Sequence, residues 1–230
     1  MTVTISDTAS RQATGKAHPH IAARKLAVEF IGTFFLVLTV DASVRTGTVL
    51  APVAIGAALM VMVYAGGHIS GGHYNPAVTV AALVRNRIRE GEAIGYCIAQ
   101  LLGGVPAALV VRATVSPSQL HPVAPHGHAM VSALILELLY TFALAYVVLN
   151  VATSKDHPDN SFYGLAIGFT VMVGAAAVGG ISGGAFNPAV VLGAGVMGLF
   201  AWSTLIHLIP QLIAGVAAGL VFRAVNPDDR

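Results

Sequence analysis

The chain has 230 residues, 56% hydrophobic and 10% charged, with a mean hydropathy of +0.77 and a formal net charge of +2. That is too little charge to coat a soluble domain of this size. The single cysteine, Cys97, excludes an internal disulfide framework and offers no metal-site spacing.

In chain order, residues 1–23 are polar and irregular and predict a disordered N-terminal tail. The first apolar span, about 26–44, carries Glu29 and follows that long tail, with no small-residue cleavage pattern after it, so it does not read as a typical signal peptide. Asp41, near its outer end, is expected to be solvated. A second span over about 49–65 runs into the glycine-rich stretch 66–74. Asn75-Pro76-Ala77 then opens a short apolar segment that ends at Val84, and Arg85-Asn86-Arg87 marks a membrane surface. The third span covers about 93–111. A Pro-rich outer loop with His121, His126 and His128 reads as solvated, and no metal site is expected. The fourth span, about 129–151, carries Glu137, and the fifth covers about 162–178. A second glycine-rich stretch, 179–186, leads to Asn187-Pro188-Ala189 and another short apolar segment, 190–196. The sixth span, about 199–222, holds His207, and 225–230 form a short C-terminal tail. Each span has roughly the length that crosses a ~30 Å hydrocarbon core. One transmembrane domain is therefore expected over 24–224, with one repeat at about 24–115 and another at about 129–224.

Charge sets the orientation. With the N-terminus cytoplasmic, Arg11, Lys16, Arg24, Lys25, Arg85, Arg87, Arg89, Lys155, Arg223 and Arg230 fall inside, and only Arg45 and Arg112 outside. This positive-inside bias accounts for the basic pI without a nucleic-acid partner.

The halves repeat. Glu29-Phe30-Ile31-Gly32-Thr33-Phe34 matches Glu137-Leu138-Leu139-Tyr140-Thr141-Phe142, and Ile69-Ser70-Gly71-Gly72-His73-Tyr74-Asn75-Pro76-Ala77-Val78 matches Ile181-Ser182-Gly183-Gly184-Ala185-Phe186-Asn187-Pro188-Ala189-Val190. Three spans per half make the repeats inverted, so equivalent sites approach from opposite faces. Extended, glycine-rich backbone is tolerated at membrane depth only inside protein or along a water-filled path. Asparagine suits an N-cap and proline the first helical turn. Ten residues from Asn75 give about 15 Å of helix, half a bilayer. Two half-helices therefore start at mid-membrane with their N-termini facing, which favours neutral hydrogen-bond acceptors and repels cations. The carbonyls of both glycine runs are expected to line the rest of the path. Glu29 and Glu137 lie inside apolar spans, where a charge is expensive; a proton relay and a scaffold role both fit.

On the paired Asn-Pro-Ala segments, on Glu29-Phe30-Ile31-Gly32-Thr33 and on Tyr96-Cys97-Ile98-Ala99-Gln100, the sequence resembles the aquaporins of the major intrinsic protein family over roughly 25–223. The resemblance implies an all-α membrane protein with six transmembrane helices and two re-entrant half-helices. It also implies a homotetramer in the cell membrane, no cofactor, no enzymatic activity, and passive flow of water or small uncharged solutes. It gives Glu29 and Glu137 the role of supporting the re-entrant loops. It makes Gly71, Gly72, His73, Tyr74, Gly183, Ala185 and Phe186 pore-lining loop positions. His73 is similar to the family's pore-lining loop histidine, and the resemblance implies a response to cytoplasmic pH. The family's outer constriction maps onto Ile55, Ala175, Gly184 and Val190. Water-selective members place an aromatic, a histidine and an arginine there, and this chain has none of the three. Val190 is shared with some plant vacuolar members, which pass urea, ammonia or hydrogen peroxide as well as water. A secondary transporter built on inverted repeats remains the alternative.

Overall fold

The computed structural model describes residues 19–116 and 123–229. The helices are α1 (Pro19–Thr46), α2 (Ala51–Ser70), α3 (Pro76–Val84), α4 (Glu90–Thr114), α5 (His128–Thr153), α6 (Tyr163–Ser182), α7 (Pro188–Met197) and α8 (Leu208–Val225). A 3-10 turn, Trp202–His207, leads into α8. Among the described residues six helical segments are long and apolar enough to cross a membrane, the sixth being that turn together with α8. α3 and α7 are half that length.

α1 starts earlier than the polar tail suggests, because Ala22, Ala23, Arg24 and Lys25 are strong helix formers that carry it beyond the apolar span. Residues 1–18 of the expected tail lie outside the described residues. The glycine-rich stretches are also shorter as loops than expected. Gly66 and Gly67 stay in the last turns of α2, and Gly179 and Gly180 in those of α6. Only 71–74 and 183–186 leave the helix before the next one starts.

α1 packs on α4 and α2, α5 on α8 and α6, and α2 crosses α6 at the pseudo-two-fold. Gly56 and Gly168, equivalent in the repeats, face each other there: a Cβ on Gly56 would lie 2.6 Å from the Gly168 carbonyl oxygen. α3 leans on α8 and α7 on α4, so each half-helix sits against spans of both halves. Ile31, Ile98, Leu102, Ile135, Leu139, Phe169 and Ile213 are exposed around the outside, as a lipid-facing belt requires.

Asp41 is buried, not solvated. α1 runs on for more than a turn beyond it, and its Oδ2 lies 3.7 Å from where a Cβ on Gly193 of α7 would stand. Neither of its oxygens has a partner among the described residues. Arg85 does not face solvent at the membrane surface either. It is buried, stacks 4.3 Å from the Phe222 ring centroid, and gives Nη2 to Asp229 Oδ1 at 2.6 Å. Asp229 also accepts from Arg87 at 3.3 Å and from the Lys155 N–H at 2.8 Å. Burial acts to raise the pKa of Asp229; the Lys155 N–H and the two guanidiniums together outweigh it and hold the carboxyl below its ordinary value. The last residues thereby tie the loops that follow α3 and α5.

Candidate functional site

Two re-entrant loops meet in the middle of the bundle, built on the same plan. Gly71 and Gly183 leave α2 and α6 in the left-handed region at φ 91° and 92°, followed by Gly72 at 63° and Gly184 at 62°. Tyr74 and Phe186 then adopt φ 48°, a conformation that costs a non-glycine residue about 1–3 kcal/mol and persists only where the surroundings over-determine it. Here the surroundings are the glutamates. Glu29 Oε1 accepts from Ser70 Oγ at 2.7 Å and the His73 N–H at 2.9 Å; its Oε2 accepts from the Tyr74 N–H at 2.7 Å and Gln100 Nε2 at 2.8 Å. Glu137 repeats this with Ser182 Oγ at 2.8 Å, Ala185 N at 3.1 Å, Phe186 N at 2.8 Å and Gln211 Nε2 at 2.8 Å. These donors are buried against protein at membrane depth, and each one left unpaired would cost about 1–3 kcal/mol.

Asn75 and Asn187 cap α3 and α7: their Oδ1 atoms accept from Ala77 N at 2.8 Å and Ala189 N at 2.9 Å. Each amide also reaches the opposite loop. Asn75 Nδ2 donates to the Phe186 carbonyl and Asn187 Nδ2 to the Tyr74 carbonyl, both at 2.9 Å. One hydrogen of each amide is thus spent on joining the loops and one remains. The Tyr74 and Phe186 carbonyls are consumed in the same way. Their rings turn outward, Tyr74 onto Gly32 and Phe186 onto Gly174. Pro76, Ala77, Pro188 and Ala189 are buried in the first turns of the half-helices.

A conduit passes the two asparagines. Its middle has a volume of only about 20 Å³ and is lined by Gly72, His73, Asn75, Gly184, Ala185, Asn187 and Val190, facing apolar residues that include Leu59, Val148 and Val171. That is little more than the ~10–15 Å³ one water requires. It opens into wider cavities at both ends: about 270 Å³ on the side of the chain termini, where Gly71, His73, Arg87 and Tyr96 contribute, and about 220 Å³ on the far side. Gly183 and all four of Ile55, Ala175, Gly184 and Val190 line that far mouth.

Reasoning from sequence missed several contributors. Gln100 and Gln211 were legible as a repeat, since Ile98-Ala99-Gln100-Leu101 matches Ile209-Pro210-Gln211-Leu212. Thr79, which accepts from Gln100 Nε2 at 3.0 Å and lies 3.1 Å from His73 Nδ1, has no polar counterpart, because Val191 stands at its repeat position. Phe200 and Val123 at the far mouth carried no signal, being outside both motifs. His126 and His128 line neither mouth, and His121 lies outside the described residues.

The sequence model of the family described as major intrinsic protein matches residues 41–222. Glycerol uptake facilitator protein-like 6 of Lactiplantibacillus plantarum is 38% identical over 218 residues, which cover 90% of this chain and 100% of that protein. Aquaporin NIP1-3 of Oryza sativa subsp. japonica is 40% identical over 185 residues, covering 76% of this chain and 64% of its own length. The X-ray structure of the aquaglyceroporin from Plasmodium falciparum shares the fold, with a TM-score of 0.70 at 21% identity over 89% of this chain and 95% of that one.

Proposed function

Because the chain belongs to the major intrinsic protein family, a family of passive channels for water and small solutes, we propose that its far mouth is the selective constriction and that it admits more than water. The protein is an integral multi-pass membrane channel, and the transporter alternative is not favoured. In this reading Asn75 and Asn187 form the midplane site. Each offers its remaining amide hydrogen to a passing acceptor, backed by the positive ends of α3 and α7. Cations are disfavoured there because the fixed dipoles present the wrong sign.

The observation that carries the solute reading is the composition of the far mouth. Ile55, Ala175, Gly184 and Val190 supply no side-chain donor and no fixed charge. An arginine in place of Val190 would bring a rigid fork of donors and one positive charge. Without it, a partly apolar solute loses less on entry, and glycerol, urea, ammonia or hydrogen peroxide becomes a competent permeant beside water. A relative named as a glycerol uptake facilitator protein supports glycerol as one such solute.

Stopped-flow light scattering on proteoliposomes tests it. The wild type should pass water and at least one of the four solutes. Val190→Arg, alone or with Ala175→His, should lower solute flux about tenfold more than water flux, the scale at which small pockets discriminate. A wild type that passes water alone would defeat the reading.

We infer that the termini side is cytoplasmic; the basic residues bordering it, Arg24, Lys25, Arg85, Arg87, Arg89, Lys155 and Arg223, against Arg45 and Arg112 on the other side, support this reading. Reporter fusions that put the C-terminus outside would reverse the assignment. Assembly as a homotetramer in the cell membrane completes the proposal.

A further inference from the structure

We propose that Phe200, a residue outside both Asn-Pro-Ala loops, is a fifth specificity-determining side chain of the far mouth: it supplies the aromatic wall that the four constriction positions lack. The inference rests on the far mouth being the selective constriction.

The two mouths make the case when laid over one another. At the termini-side mouth, the ring that lies against the left-handed glycine is His73: its Nε2 is 3.3 Å from where a Cβ on Gly71 would stand. His73 meets Tyr96 edge-on, with centroids 5.2 Å apart and planes at 67°. At the far mouth the repeat position of His73 is Ala185, which has no ring. Phe200 takes the space instead. Its ring lies directly against the Cβ direction of Gly183, and it meets His207 edge-on at 6.3 Å and 74°. His207 precedes Gln211 by four residues, as Tyr96 precedes Gln100, and both glutamines hold the loop glutamates. The same two-ring arrangement is therefore built at both ends, with its inner member taken at one end from the re-entrant loop and at the other from the connector after α7.

The ring is also held in place before any solute arrives. Gly198, at φ 87°, ends α7, and Leu199 N and Phe200 N both donate to the Ala194 carbonyl, at 2.9 and 3.1 Å. Val123 then straps the connector from the outer side: its N–H gives to Leu199 O at 2.8 Å, and its carbonyl accepts from Ala201 N at 3.2 Å. Phe200 is 7% exposed and is part of the far-mouth lining with Gly184 and Val190. A fixed ring in that lining sets the width of the passage and presents no hydrogen-bonding group. It selects by size, holding back a solute as wide as glycerol more than it holds back water.

The test compares glycerol with water permeability in proteoliposomes holding the wild type, Phe200→Ala, Phe200→Leu and Phe200→Trp, with Val190→Arg in parallel. Water flux serves as the internal standard, so a lower content of folded channel cancels. Removing the ring should raise the glycerol-to-water ratio roughly tenfold, the discrimination expected of an apolar pocket. Leucine should lie between alanine and the wild type, and tryptophan should lower the ratio below the wild type. If alanine does not fold, the opposite movements of leucine and tryptophan carry the same information. Ratios unchanged in all three Phe200 variants, while Val190→Arg still lowers the ratio, would overturn the role of Phe200 and leave the constriction reading intact. If Val190→Arg changes nothing either, both fall.

Discussion

The two re-entrant loops differ by no more than 1° in φ at their left-handed positions and by no more than 0.2 Å in their bonds to the glutamates, yet their side chains have parted. The first loop carries His73 and is backed by Thr79 and the Tyr96 hydroxyl, which reaches the Ser70 carbonyl at 2.7 Å. The second carries Ala185, with Val191 and His207 at the repeat positions of Thr79 and Tyr96. Among the described residues neither ring nitrogen of His207 has a partner. The contrast separates two kinds of constraint. Backbone donors buried at mid-membrane must be met in full, so Glu, Ser and Gln are present in duplicate. Side chains at the mouths are under no such demand, and they make one mouth polar and the other apolar.

The largest effect should come from attacking the shared part. Glu29→Ala and Glu137→Ala each strip the partner from four donors at about 1–3 kcal/mol apiece, comparable to the whole stability margin of a typical protein. Both should abolish monodisperse protein in detergent. A Glu137 variant that stays folded while the Glu29 variant does not would break the equivalence of the halves.

The midplane should respond less, and again symmetrically. Asn75→Asp and Asn187→Asp each delete the cross-loop donor and put a carboxylate at a helix N-terminus, which stabilises negative charge by up to ~2 kcal/mol. Cation conductance should rise by a factor of about 5–30 in planar bilayers. Folded variants with wild-type water flux and no added conductance would count against the dipole account, and a rise in one variant alone would show that the two asparagines are not equivalent.

The smallest effect sharpens the difference between the loops. His207→Tyr places a hydroxyl where Tyr96 has one, within reach of the Ser182 carbonyl as Tyr96 is of Ser70. A recovered hydrogen bond is worth about 0.5–1.5 kcal/mol, and the melting temperature should rise by a few degrees. A fall would mean that the Phe200 ring already fills that space.

What the sequence by itself determined is what short stretches of chain encode. Apolar length and basic flanks define the spans. Asn-Pro at the start of α3 and α7 and the paired glycines before them define the half-helices, because N-capping and left-handed backbone are decided within a few residues. The internal match of the halves gives the inversion. The tertiary structure alone decided what those elements bring together. The asparagine amides are spent on the opposite loop, over 100 residues away in the chain. Asp41 is buried because α7 folds back across α1, and Arg85 because Asp229, 144 residues on, returns to meet it. Phe200 reaches the far mouth only because α7 stops at Gly198 and Val123 straps the turn that follows. No local pattern signals any of these, since in each case the partner that satisfies a polar group or fills a gap is supplied by the packing of distant helices.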